Sequence, residues 1–203
     1  MNTDLLIVIV LCLLILPIYF KTKSFFSIRG LLLFILGFSA LSLRIFLFKK
    51  YPPLALLNEN TLFLSFAISF IPLLILITYV LIINRNFFKD KYNYLFRLIF
   101  PYLLFGALQQ LFFLTVVTDS LYYLTFNYRF TLVLSIIFFF IFHLSWKREM
   151  RKYWIFLIGF EIINILVYLR LGNILPQMLV HGIAGSVLYT AFYKDDLLKQ
   201  RLC

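Results

Sequence analysis

Long unbroken apolar runs, separated by short clusters of charge, make up nearly the whole chain. Seven of them stand out, at residues 4–20, 29–48, 61–83, 95–118, 130–146, 154–171 and 173–193. At about 1.5 Å per residue, a helix of some 20 residues covers a hydrocarbon core roughly 30 Å thick. Helices are predicted because an unpaired backbone group in lipid costs several kcal/mol. The runs are continuously apolar and lack the alternation of a β-barrel. The fifth run is short, and a start near Tyr122 would lengthen it; the sixth and seventh are parted only by a Gly172–Asn173 turn. The pattern predicts an all-α bundle of about seven transmembrane helices, a single unit over residues 1–203.

Composition narrows the class further. Of 203 residues, 64% are hydrophobic and only 13% charged, and the mean hydropathy is +1.00. Soluble domains are near half apolar and a quarter charged, so a water-soluble enzyme, a disordered chain and a disulfide scaffold are excluded. The net charge of +11 would point to nucleic acid in a soluble protein. Here the cations sit between apolar runs, as membrane orientation requires, and no nucleic-acid partner is expected.

Their distribution is uneven. Fourteen fall on one side: Lys21, Lys23 and Arg29; Arg85, Lys89, Lys91 and Arg97; Lys147, Arg148, Arg151 and Lys152; Lys194, Lys199 and Arg201. Five fall on the other: Arg44, Lys49, Lys50, Arg129 and Arg170. The positive-inside rule then puts the N-terminus outside and the C-terminus in the cytoplasm. Trp146, Trp154, Tyr51, Tyr92, Tyr122, Tyr123 and Tyr193 near span ends match an aromatic belt. The first run, opening Met1-Asn2-Thr3-Asp4, lacks the basic start and small-residue site of a cleaved signal peptide. Cys12 and Cys203 form no disulfide or zinc spacing.

Ionisable groups at membrane depth are costly, which makes each a candidate functional residue. His143, Glu161, His181 and Arg44 qualify, with Gln109, Gln110 and Asn164 as neutral companions. Arg44 lies about four residues from its span end and is expected to snorkel to the interface. His143, three residues before Trp146, suits an interfacial position. Glu161 and Asn164 are spaced i, i+3 and share a helix face. Small residues that allow close helix approach include Gly182, Ala184 and Gly185, beside His181.

Two histidines on separate late spans, preceded by a polar doublet, resemble the CAAX-protease and bacteriocin-processing family (CPBP or Abi) of polytopic intramembrane peptidases. Its pattern is Glu-Glu-x-x-x-Arg, then Phe-x-x-x-His, then His-x-x-x-Asn, each on its own span. Phe139 to His143 fits the second motif, and His181 supplies the histidine of the third. Gln109 and Gln110 stand at the glutamates, Leu114 at the arginine and Gly185 at the asparagine. The motifs lie 33 and 38 residues apart, and the resemblance covers about residues 94–193.

The resemblance implies a site of Gln109, Gln110, His143 and His181 that cleaves or binds a transmembrane or lipid-anchored peptide, in a bacterial cytoplasmic membrane. Glutamine lacks the protonation equilibrium of a general base and is a weak metal ligand. A catalytic carboxylate therefore has to come from elsewhere, and Glu161 is the acidic residue well inside a span. Any cofactor or metal is left open. Two other readings stand: a silent pseudo-peptidase that binds without cutting, and a small proton-coupled transporter. Counting ~1.5 Å per residue from the cytoplasmic ends puts Gln109 and His181 roughly 20 Å deep, Glu161 about 10 Å and His143 about 5 Å. That arithmetic does not favour one compact group.

Overall fold

The computed structural model describes residues 2–21, 27–54, 57–83, 85–143 and 153–192. Lys23, Trp146, Lys147, Arg148, Arg151, Lys152, Tyr193, Lys194, Lys199, Arg201 and Cys203 lie outside them. The described residues are helical, with no strand: α1 (Thr3–Lys21), α2 (Ile28–Leu47), α3 (Leu62–Ile83), α4 (Phe87–Phe112), α5 (Asp119–Thr125), α6 (Tyr128–His143), α7 (Trp154–Leu171) and α8 (Leu175–Phe192). A 3-10 turn, Glu59–Thr61, leads into α3, and a π-helical segment, Phe113–Thr118, joins α4 to α5 without a break. Five stretches are long and apolar enough to cross a membrane: Thr3–Lys21, Ile28–Leu47, Glu59–Ile83, Lys91–Thr125 and Trp154–Leu171. The apolar α6 has 16 residues. The 18-residue α8 is diluted by Gln177, His181 and Ser186.

The facing of side chains departs from the aqueous rule in one respect: many large apolar side chains are exposed while small polar ones are buried. Along α3, Phe63 is 87% exposed and Ile71, Leu74, Ile75 and Ile82 also face outward, while Ser65 and Ser69 are wholly buried. Water selects the opposite arrangement, because exposing apolar area costs about 25 cal/mol per Å². Lipid removes that cost and makes polar groups the ones to bury. Several long apolar helices with this facing suggest a membrane protein.

The chain divides into two compact units. In the first, α1 packs along α2 and also meets α5 and the π segment, while α6 packs on α5 and the π segment. The stripe Leu5, Val8, Ile9, Cys12 and Ile15 gives α1 its buried face, with the i, i+3/i+4 spacing of one helix side.

Arg44 corrects the snorkelling expectation. It is completely buried and pairs with Asp119 at 3.2 Å. Its Nε donates to the Thr115 carbonyl at 2.8 Å and its Nη1 to the Tyr51 carbonyl at 2.6 Å. The Asp119 carboxylate also accepts from the Leu54 amide at 3.3 Å. The Phe48 ring lies 4.5 Å from the guanidinium. The expected end of the fourth run at residue 118 hid this, because the helix continues through Asp119 to Thr125.

The second unit contains α3, α4 up to Leu111, α7 and α8, with α3 packed on both α7 and α8. Gly172 ends α7 in the left-handed region at φ 68°, which glycine adopts without a Cβ clash, and Asn173 then starts the return. Asn173 fastens the loop before α3: its Oδ1 accepts from the Asn58 amide at 2.8 Å, and its Nδ2 lies 2.9 Å from Ser65 Oγ. Thr61 Oγ1 donates to the Leu171 carbonyl beside it.

Candidate functional site

Glu161 and Asn164 lie one helical turn apart on α7, Gln110 near the end of α4 and His181 in the middle of α8. Two glycines let α4 and α8 approach. A Cβ on Gly106 would stand 2.8 Å from Gly182 Cα, and one on Gly182 would stand 2.7 Å from Leu103 Cα. Gly106 is one turn before Gln110 and Gly182 follows His181, so the crossing occurs beside the polar side chains.

Gln110 is the centre of the cluster. Its Nε2 donates to Glu161 Oε2 at 2.9 Å and lies 2.8 Å from His181 Nδ1. An amide nitrogen has two hydrogens and no acceptor capacity, so His181 Nδ1 accepts and the ring proton sits on Nε2. Asn164 Nδ2 approaches Glu161 Oε2 at 3.4 Å. Phe160 flanks the imidazole with ring centres 5.9 Å apart. Gln110, Glu161 and Asn164 are at most 1% exposed and His181 is 7% exposed.

The cluster is unevenly satisfied. Glu161 Oε1, Gln110 Oε1 and Asn164 Oδ1 are buried and accept no hydrogen bond within the protein. All three are acceptors, beside donors already engaged. Each can accept a hydrogen bond from a donor such as a water molecule or an N–H group. Among the described residues no three His, Cys, Asp or Glu side chains come together. The donor set here is one carboxylate, one imidazole and two amides.

The remaining sequence candidates fall differently. Gln109 is half-buried and, next to Gln110, points to another side of α4. His143 belongs to the first unit and ends α6. Its Nδ1 donates to the Phe139 carbonyl at 2.8 Å, and its ring lies 4.2 Å from that of Phe139. The Phe-x-x-x-His spacing thus makes a contact between one turn of helix and the next. Gly185, at the place of the family's asparagine, lies under Tyr102, whose ring any Cβ there would overlap. Gln177, one turn before His181 and fully buried, was not singled out by the sequence; the four-residue spacing of Asn173, Gln177 and His181 is the signal that marks it. No family model, curated protein or solved structure matches the chain.

Proposed function

We propose that the chain is a divergent intramembrane peptidase of the CPBP type, with seven membrane spans, its N-terminus outside and its C-terminus in the cytoplasm of a bacterium. Its substrate is a peptide held in the bilayer by a transmembrane segment or a lipid anchor. One observation carries the reading: Gln110 binds Glu161 and His181 through a single amide nitrogen, at 2.9 and 2.8 Å. Gln110, at the family's second glutamate, is then a positioning residue, and Glu161 on α7 supplies the carboxylate.

In this mechanism Glu161 Oε1 takes a proton from water, and the water oxygen attacks the scissile carbonyl carbon. The His181 Nε2–H donates to the developing oxyanion. The C–N bond then breaks, and the proton passes from Glu161 to the leaving nitrogen. The products are a carboxylic acid and an amine. The glutamines at 109 and 110 favour a second reading, a pseudo-peptidase that binds such peptides without cutting them.

Purified protein in liposomes, given one farnesylated and one transmembrane reporter peptide, separates the two. For the peptidase, the wild type cleaves, while Glu161→Gln and His181→Ala lose activity by at least a hundredfold. Equal cleavage in all three would reject Glu161 as base. Cleavage only in the Gln109→Glu/Gln110→Glu variant would identify the pseudo-peptidase.

A further inference from the structure

A second polar feature of the same unit leads toward this cluster. On α3, Ser65 and Ser69 are one turn apart. Asn173, at the entry to α8, and Gln177 and His181 within it follow each other at four-residue intervals, so each set lies along one helix side. The two sets are joined in register: Asn173 Nδ2 donates to Ser65 Oγ at 2.9 Å and Gln177 Nε2 to Ser69 Oγ at 3.3 Å. One turn further on, His181 meets Gln110, and Gln110 meets Glu161. All the rung residues are buried, while Phe63, Ile71, Leu74, Ile75 and Ile82 of α3 face outward.

We propose that this α3–α8 polar ladder is a water path from the Asn58–Asn173 end of the helices to Glu161. Successive rungs are about 6 Å apart, the length of two hydrogen-bonded waters at about 2.8 Å each. The unmatched atoms along it are of one kind. Gln177 Oε1 at the second rung, and Gln110 Oε1, Glu161 Oε1 and Asn164 Oδ1 at its end, are buried acceptors that take no hydrogen bond from the protein. Water brings two donors per molecule, and buried waters settle where several polar groups lack partners. Hydrolysis consumes one water per bond, and lipid holds almost none. The path's use in catalysis rests on the peptidase reading, but its hydration does not require turnover.

Thiol labelling tests it in liposomes, in a Cys12→Ser/Cys203→Ser background, with the small cationic reagent aminoethyl methanethiosulfonate and intact mass as readout. Ser69→Cys is the smallest change that places a thiol at this rung. It should label at least tenfold faster than Ile75→Cys, whose parent side chain is 58% exposed on the outer face of α3. Adding Ser65→Leu, at the rung nearer the entrance, should slow labelling of Ser69→Cys by at least tenfold. Labelling of Ser69→Cys no faster than Ile75→Cys would overturn the path, as would labelling indifferent to Ser65→Leu. A protein that labels as expected but cleaves no peptide keeps the path and loses the peptidase reading instead.

Discussion

The first unit and the second each bury groups that ionise, and they differ in how completely those groups are satisfied. Around Arg44, each guanidinium nitrogen has an oxygen partner and the Asp119 carboxylate accepts from both Arg44 and the Leu54 amide. The unmatched buried atoms next to it in sequence are the neutral hydroxyls of Thr118 and Ser120. Around Gln110, a carboxylate oxygen and two amide oxygens accept nothing from the protein. A saturated buried pair ties helices together, whereas surplus acceptors in a dry interior are stable only if something else supplies donors. Burial of charge alone therefore does not distinguish the two regions; the residual hydrogen-bonding capacity does.

The largest effect should come from breaking the saturated pair. Arg44→Leu or Asp119→Leu alone leaves a buried charge without its partner and should cost about 3–5 kcal/mol, read as a lower melting temperature in detergent. The double variant should cost less than either single change. If the single variants melt like the wild type, the pair is not what orders this region. Glu161→Gln sharpens the contrast, because Gln110 can still donate to the new amide oxygen. Its stability should stay within about 1 kcal/mol of wild type, while peptide cleavage falls.

A smaller effect is expected at the helix crossing. Gly106→Ala forces a methyl against the Gly182 backbone and should destabilise by about 1–3 kcal/mol. On the peptidase reading it should also weaken cleavage by moving Gln110 from His181. Unchanged melting and turnover would contradict the close approach of α4 and α8. Smallest of all is the exposed Lys50–Asp4 pair, 3.0 Å apart. Hydrogen bonding to Asp4 raises the Lys50 ammonium above its ordinary value. A raised lysine contributes below its unfolded value and loses that contribution only as pH climbs through the folded one, in strong alkali. Lys50→Ala should leave melting unchanged between pH 6 and 8, and a clear drop would show that the pair is not solvent-screened.

Much of the helix layout was legible because lipid-compatible hydropathy is a local property, visible one run at a time. The shared face of Glu161 and Asn164 and the Gly172–Asn173 turn were legible for the same reason. Arg44 was misread because its partner lies 75 positions away, just past the apparent end of an apolar run, where an aspartate resembles a loop residue. The separate depths assigned to Gln109 and Glu161 came from counting each helix from its own apolar boundary. Gln110, the neighbour of Gln109, nevertheless meets Glu161 at 2.9 Å. Gly106 gave no signal, since its role appears only against Gly182. Gln177 was hidden among apolar neighbours, although its four-residue spacing to His181 was there to be read.

Peptide cleavage by Glu161→Gln relative to wild type, at equal folded fraction in liposomes, is the most direct measurement of whether the unsatisfied carboxylate in the second unit is a working base. A loss of at least a hundredfold with melting unchanged is the expected result. Undiminished cleavage by the variant would contradict it.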